Sequence, residues 1–205
     1  MLNHLEFDLW ADGYDKSVAV SEENDEYPFA GYGQILNTIY NHVLTNPGRQ
    51  VLDIGFGTGT LTTKLYEQGC TIYGQDFSQR MIDLAQEKMP EAHLYQGDFT
   101  LGLANELMGR QYDAIIATYS LHHLSDTQKV RFFRDLLGLL APLLPGPAAV
   151  ENPGYPRAKQ VLENNGVACC CLPVDEDGLS IRALSDSGAA VCYVTPSHQF
   201  PTGVT

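Results

Sequence analysis

Basic side chains are scarce in this sequence. Its 205 residues include 12 lysines and arginines against 25 aspartates and glutamates, a formal net charge of −13. A surface of this sign repels the phosphates of nucleic acids and the headgroups of anionic lipids. We therefore expect neither a nucleic-acid partner nor a membrane partner. No apolar run reaches membrane-spanning length and no basic leader precedes one, which predicts a cytoplasmic protein.

Cysteine is also infrequent. The five residues are Cys70, Cys169, Cys170, Cys171 and Cys192. The run of three fits neither zinc-ligand spacing nor a disulfide framework. Successive side chains of a strand point to opposite faces, so three adjacent thiols cannot converge on one ion. We predict small buried side chains in a strand and no metal site; the alternative is a set of reactive or metal-binding thiols.

Glycine, in contrast, is concentrated where a strand ends. Residues 50–60 run Gln-Val-Leu-Asp-Ile-Gly-Phe-Gly-Thr-Gly-Thr. The apolar run around Asp53 is typical of a parallel strand buried on both faces. Gly55, Gly57 and Gly59 follow at every second position, and a loop of this kind can bring its backbone against a ligand. A predicted helix over residues 60–68 completes half of a nucleotide-binding βαβ unit.

The spacing G-x-G-x-G differs from the dinucleotide fingerprint, which has two residues before its third glycine. With Val51-Leu52-Asp53 in front, the loop resembles the first motif of class I S-adenosylmethionine-dependent methyltransferases. The resemblance implies S-adenosylmethionine as cofactor. It also implies that the three glycines admit the amino-acid end of this donor and that Asp53 orients the loop or the amine.

Three later motifs resemble the same family in the same order. Asp76, followed by Phe77, ends a predicted second strand over 71–75, where an acidic residue would hold the ribose hydroxyls. The stretch His93–Phe99 resembles the third strand with its terminal Gly-Asp, so Asp98 and Phe99 would flank the adenine. The stretch Tyr112–Leu124 resembles the fourth strand, with Tyr119 beside the methyl donor.

Two further residues are weaker candidates. Tyr14 lies in Trp10-x-x-x-Tyr14-Asp15, a pattern found in the lid of small-molecule methyltransferases, and would help to close the donor site. The alternative is that it packs a helix against the sheet. His123 follows the fourth strand and is a candidate general base, although the Leu-His-His-Leu run is often only near the site in this family.

Strands and helices alternate along the chain. Helices are predicted at 34–45, 60–68, after Ser78, at 103–108 and at 127–140. This alternation predicts a Rossmann-like α/β fold, a three-layer αβα sandwich with a mostly parallel central sheet. We expect one domain over residues 1–205, in which a strand at 148–151 continues the sheet. Helices at 156–165 and 181–187 and strands at 168–172 and 189–195 would follow it.

From residue 147 onward the sequence resembles a second family. The stretches 149–167, 174–179 and 193–203 resemble fold-type I pyridoxal-phosphate enzymes, most closely the aminotransferase-like domain of MocR/GabR-type regulators. The lysine that forms the Schiff base, the phosphate-binding turn and the DNA-binding arm of that family are missing. Because pyridoxal chemistry needs this lysine, we expect no pyridoxal phosphate, no aminotransferase activity and no transcriptional regulation.

The two resemblances together predict a recombined protein, with a methyltransferase part at 1–146 and a grafted part at 147–205. The end of the chain inside a motif of the second family favours engineering, and a natural fusion is the alternative origin. We expect a methyltransferase-like protein that keeps its donor site, while transfer to a small-molecule acceptor is lost or reduced. A fold-testing scaffold without ligand is the alternative function.

Overall fold

The computed structural model describes residues 32–45, 47–118, 120–121, 124–140, 147–152, 156–164, 166–175, 178–189 and 191–193. The chain comprises two compact units, residues 1–120 and 121–205. The single domain predicted for residues 1–205 stays a prediction. Among the helices in the described ranges, none combines the length and the apolar composition that crossing a bilayer requires.

The first unit alternates helices and strands as the sequence predicted. Its elements are α1 (Tyr32–Thr45), β1 (Gln50–Ile54), α2 (Thr60–Glu67), β2 (Thr71–Asp76), α3 (Gln79–Lys88), β3 (His93–Gln96) and β4 (Ala114–Ile116). The Ser78 side chain accepts a hydrogen bond from the Met81 backbone N–H and caps α3, so the predicted start of a helix after Ser78 is confirmed. The helix ends just before Pro90, which cannot continue it.

The four strands form one parallel sheet in the order β3-β2-β1-β4. In this register Val51 pairs with Ile72 on one side and with Ala114 on the other. The order confirms the predicted α/β class with a parallel sheet. Since all four strands run in one direction, their carboxyl ends lie at the same edge of the sheet.

One face of this sheet carries the main core of the unit. Apolar side chains of α1, α2 and α3 pack there against β1, β2 and β4 in a single buried cluster. Its members include Leu36, Val43, Val51, Phe56, Leu61, Leu65, Ile72, Ile82, Ala85, Met89 and Ile116. The helical spacing of the apolar residues in α1 to α3 places them on this face, which explains why the helices were predictable.

The predicted helix at 103–108 is wrong. Residues 105–109 form turns between Gly102 and Gly109, whose φ angles are +132° and +94°. A hydrogen bond from elsewhere in the unit sets the path of this segment: the Ala104 N–H donates to Oε1 of Gln75 in β2 at 2.7 Å. Long-range contacts of this kind outweigh the weak helical preference of a six-residue segment.

Gly74 in β2 makes room for the aromatic side chain of the glycine loop. A Cβ on Gly74 would lie 2.6 Å from Cδ1 of Phe56, whose side chain is buried in the core cluster. We expect Gly74→Ala to lower the free energy of unfolding by about 1–3 kcal/mol, because the ring must leave its place. Urea denaturation measures this loss.

A double-mutant cycle identifies the cause of that loss. In a Phe56→Ala background, the same Gly74→Ala change is expected to cost much less, since the ring is absent. An equal loss in both backgrounds would show that the ring is not what the methyl group meets.

The second unit contains α4 (Asp126–Leu139), β5 (Ala148–Asn152), α5 (Pro156–Asn164), β6 (Cys169–Asp175), β7 (Gly178–Leu179), α6 (Ile181–Asp186) and β8 (Val191–Tyr193). Its sheet has the order β7-β6-β5-β8, parallel except for the β6–β7 pair. The sequence predicted that β5 continues the first sheet. In the described residues its ladder partners are β6 and β8 instead, and apolar clusters on both faces include Ala148, Ala149 and Val150.

The cysteine run lies in β6, as predicted, but only part of it is buried. Cys169 packs against the cluster around Ala148 and Val150, and Cys170 packs on the opposite face beside Ala149 and Leu172. Cys171 is exposed, and the Lys159 ammonium lies 3.5 Å from its sulfur. The prediction of buried thiols is therefore wrong for Cys171.

Candidate functional site

The glycine loop, residues 55–59, leaves the carboxyl end of β1 and turns into α2. Its three glycines have φ angles of +72°, +57° and +77°, a region that favours glycine. The Gly55 N–H donates to the Gln75 carbonyl at 2.8 Å, and the Gly59 N–H donates to the Phe56 carbonyl at 3.0 Å. The loop is thus tied to β2 at its start and closed on itself before the helix begins.

Two of the glycines allow close packing within the protein. A Cβ on Gly55 would lie 2.6 Å from the Cβ of Ser120, whose hydroxyl donates to the Ile54 carbonyl at 2.8 Å. A Cβ on Gly59 would lie 3.0 Å from the terminal methyl group of Met89. A side chain at Gly55 would clash with Ser120, and one at Gly59 would require Met89 to shift, so both glycines allow the loop to pack closely against these residues.

Gly57 is different. Apart from its two chain neighbours, no atom of the described residues lies within 4 Å of the position that a Cβ on Gly57 would take. Its N–H donates to Oδ2 of Asp76 at 2.9 Å. Within the part of the chain that the structure describes, the backbone of Gly57 therefore borders an open space at the edge of the sheet where the predicted site lies.

Asp76 connects the glycine loop with the start of α3. Its side chain is 4% exposed, and its Oδ1 accepts a hydrogen bond from the Ser78 N–H at 3.0 Å. With Gly57 on Oδ2, the carboxylate is held between two backbone amides. Its position at the carboxyl end of β2, beside the loop, is the one predicted from the sequence.

Asp53 is a buried carboxyl group. It is 2% exposed, and its Oδ1 has no hydrogen-bond partner among the described residues. Burial and the repulsion of the Asp76 carboxylate raise the pKa of Asp53 to about 8. A cation placed beside this oxygen would reverse the effect by stabilising the ionised form.

The remaining predicted residues follow β2 and β3. The Phe77 side chain is half-buried, and its carbonyl accepts a hydrogen bond from the Gln96 amide at 3.3 Å. Asp98 is exposed and accepts a hydrogen bond from the Thr100 N–H at 2.8 Å, which forms a tight turn. Phe99 is buried, with its ring edge 3.7 Å from the position of a Cβ on Gly55.

Sequence reasoning missed two residues that shape this edge. The Lys88 ammonium, at the end of α3, donates to the Thr58 carbonyl of the glycine loop at 3.0 Å. The Gln75 side chain bonds to residues 102 and 104 across the sheet. For Gln75 the sequence contains one signal, a polar residue inside a strand, and this signal does not reveal the hydrogen-bond partner.

Three predicted residues, Tyr14, Tyr119 and His123, lie outside the described residues. Within the described ranges, no group of three or more His, Cys, Asp or Glu side chains is placed to hold a metal ion. The described candidates that do come together are the glycine loop, Asp53, Asp76 and the segment that begins at Asp98.

Residues 51–143 match the family model described as a methyltransferase domain. This part of the chain is similar to that domain family. The domain begins in β1 and includes the glycine loop, Asp76, Asp98 and Phe99, so every candidate residue described above lies inside it.

Curated relatives are similar to part of the chain. The chain is similar to an uncharacterized methyltransferase of Geobacillus sp. (strain WCH70), with 44% identity over 124 residues, which cover 60% of this chain and 55% of that protein. An uncharacterized methyltransferase of Oceanobacillus iheyensis is 34% identical over 136 residues, which cover 66% and 61%. The chain thus spans a little over half the length of these relatives.

Solved structures show the same fold. The magnesium protoporphyrin IX methyltransferase of Synechocystis PCC 6803, solved with bound S-adenosylmethionine, matches with a TM-score of 0.51 and 22% identity. The match covers 67% of this chain and 70% of that chain. It confirms the predicted Rossmann-like α/β fold with a mostly parallel sheet.

Proposed function

We propose that residues 51–143 form a methyltransferase domain, which binds S-adenosylmethionine at the carboxyl edge of its sheet and transfers the methyl group to a small molecule. The observation that carries the proposal is the open space at Gly57, bordered by a backbone amide and the Asp76 carboxylate. A side chain at this position would project into the space, so glycine leaves the loop backbone open to a ligand at the edge where Asp76 lies. The Synechocystis structure with bound S-adenosylmethionine supports this choice of ligand.

The charges at the site fit the donor. The amino-acid end of S-adenosylmethionine carries an ammonium group, and the buried Asp53 Oδ1 is an acceptor without a partner among the described residues. Asp76 would accept hydrogen bonds from the ribose hydroxyls, and Asp98 with Phe99 would flank the adenine. Gly55 and Gly59 support the loop around Gly57. Each part of the donor thus has a chemically suitable residue.

The bound donor supplies an activated methyl group, because its sulfur is a sulfonium. The protein's part in such a reaction is mainly to hold the acceptor in line with the methyl group and to keep it there. A proton leaving the acceptor would need a base, and His123 remains the predicted candidate. The acidic composition, with a net charge of −13, favours a small-molecule acceptor over nucleic acid.

The origin of residues 147–205 is a separate prediction. Their resemblance to pyridoxal-phosphate enzymes, and the recombination inferred from it, receive no support from the comparisons, whose family match ends at residue 143. Loss of methyl transfer through such a graft, and a scaffold without ligand, likewise stay predictions. Measured donor binding would eliminate the scaffold alternative.

Calorimetric titration with S-adenosylhomocysteine tests the proposal. We expect micromolar binding by the wild-type protein. Gly57→Ala should weaken it about tenfold or more, because the added methyl group enters the ligand space. Gly69→Ala is the matched control: Gly69 also has a positive φ, of +82°, with no atom of the described residues within 4 Å of its Cβ position.

Both variants carry the backbone strain of about 1–2 kcal/mol that alanine has at positive φ. Only the loop variant should lose affinity, whereas both should lose stability. A cooperatively folded wild-type protein that binds no S-adenosylhomocysteine would show that the proposal is wrong. Wild-type affinity in Gly57→Ala would place the ligand elsewhere.

A further inference from the structure

Gln75 is a buried carboxamide in an interior strand of the first sheet. Its side chain is 1% exposed, and it lies in β2 between Gly74 and Asp76. Strands buried on both faces are normally apolar, because a polar group there must find partners inside the protein. A glutamine at this position therefore serves a specific set of hydrogen bonds.

Those bonds go to the segment that follows β3, residues 97–104. The Gln75 Nε2 donates to the Gly102 carbonyl at 3.1 Å, and its Oε1 accepts from the Ala104 N–H at 2.7 Å. A Cβ on Gly97 would lie only 2.9 Å from Nε2, so the amide is enclosed by the same segment. Donor and acceptor are both used, which fixes the orientation of the amide and the position of the backbone it holds.

Both ends of segment 97–104 are attached to β2. At the beginning, the Gly97 N–H donates to the Asp76 carbonyl at 2.9 Å; at the end, Gln75 holds residues 102 and 104. Between them the chain forms a closed turn, in which the Leu101 N–H donates to the Asp98 carbonyl at 3.0 Å. The Gly102 N–H donates to the Phe99 carbonyl at 3.2 Å. A rigid turn anchored at two points thus carries Asp98 and Phe99.

We propose that Gln75 is a positioning residue for the adenine side of the donor site, acting through segment 97–104. The inference rests on the proposed function, which assigns Asp98 and Phe99 to the adenine. Gln75 itself does not touch the donor. Its two hydrogen bonds hold the turn against β2, so their loss frees the turn and weakens only those donor contacts that the turn provides. Contacts made by the glycine loop and Asp76 do not depend on it.

Two ligands separate these contributions: S-adenosylhomocysteine, and S-ribosylhomocysteine, which lacks the adenine. The dissociation constant of S-ribosylhomocysteine divided by that of S-adenosylhomocysteine measures what the adenine adds to affinity. In Gln75→Met, which keeps the length of the side chain but not its hydrogen bonds, we expect this ratio to fall about tenfold. The loss should come from weaker binding of S-adenosylhomocysteine, while the affinity for S-ribosylhomocysteine stays within about twofold.

Gln86→Met is the matched control. The Gln86 amide also holds a turn, since its Nε2 donates to the carbonyls of Met89, Pro90 and Ala92 at 2.9, 3.1 and 3.2 Å. This turn precedes β3 and is separate from segment 97–104; its Met89 packs against Gly59 of the glycine loop, so a disturbance there would affect both ligands alike. We expect Gln86→Met to lose stability and to keep the wild-type ratio, so the ratio distinguishes positioning from a merely structural role.

A wild-type measurement covers the case in which Gln75→Met does not fold. Hydrogen exchange of the Ala104 amide, which donates to Gln75, should slow with S-adenosylhomocysteine and not with S-ribosylhomocysteine at equal occupancy.

Three results would overturn the inference: an unchanged ratio of dissociation constants in folded Gln75→Met, equal weakening of both ligands in that variant, or equal protection of the Ala104 amide by both ligands in the wild type. If the wild-type protein binds S-ribosylhomocysteine but gains nothing from adenine, the inference also fails. Absence of all binding to the folded wild type instead refutes the proposed function itself.

Discussion

Replacing Asp76 by alanine is expected to lower the affinity for S-adenosylhomocysteine at least about 100-fold. The carboxylate is buried beside the glycine loop, with Gly57 and Ser78 donating to its two oxygens. In the proposed complex it also accepts hydrogen bonds from the ribose hydroxyls. Each hydrogen bond to a charged group contributes about 1.5–3 kcal/mol, so the loss of two exceeds a factor of 100. Calorimetric titration measures the change.

The stability of the variant must be measured together with its affinity, because Asp76 also forms hydrogen bonds within the folded protein. Its removal takes an acceptor from two backbone amides, and we expect a loss of about 1–3 kcal/mol in the free energy of unfolding. Asp76→Asn, which keeps one acceptor oxygen, should fold better and bind with intermediate affinity. Asp83→Ala, at an exposed position on α3, is the control and should bind like the wild type. Wild-type affinity in a folded Asp76→Ala protein would remove Asp76 from the site.

The Asp53→Asn variant is expected to be more stable than the wild type at pH 7, and the difference should depend on pH. The pKa of Asp53 is raised from 3.8 to about 8 by burial and by the repulsion of Asp76. Between these two values the folded protein holds a proton that the unfolded chain has lost. The wild type therefore loses stability as the pH rises through this window, by up to about 1.4 kcal/mol per pH unit, and the loss levels off above about pH 8.

Urea denaturation of both proteins from pH 5 to pH 9 tests this. The difference in unfolding free energy should grow by about 3 kcal/mol from pH 5 to pH 7, because asparagine has no proton to lose. Asp83→Asn, which removes an exposed carboxylate, should follow the wild type. A constant difference between Asp53→Asn and the wild type would mean that Asp53 is ionised in the folded protein throughout.

The ionised Asp53 carboxylate, which destabilises the folded protein, is expected to favour donor binding. If the ammonium of the donor pairs with ionised Asp53, binding below pH 8 must release the Asp53 proton, so affinity should rise with pH in the wild type. Asp53→Asn should bind more weakly and lose this contribution to the pH dependence. Removal of the buried Asp53 carboxyl group would then explain both effects of the variant, its higher stability and its lower affinity for the donor.

The sequence by itself determined the elements of the first unit and the edge at which its site lies. Apolar residues at helical spacing defined α1 to α3, Ser78 marked the start of α3, and the glycines after β1 marked the turn. These features were predictable because each depends on residues close together in the chain. Parallel strands then place Asp76 and Asp98 at one edge, since their carboxyl ends coincide.

Only the tertiary structure decided which residues meet across the sheet. Nothing local predicts that Gln75 holds residues 102 and 104, that Phe56 occupies the space left by Gly74, or that the Lys88 ammonium reaches the glycine loop. The ladder partners of β5 and the turns at 105–109 were misjudged for the same reason. Such contacts join residues distant in sequence, and their partners follow from strand order and register. A short segment takes its conformation from these contacts because its own helical preference is worth less than the hydrogen bonds they offer.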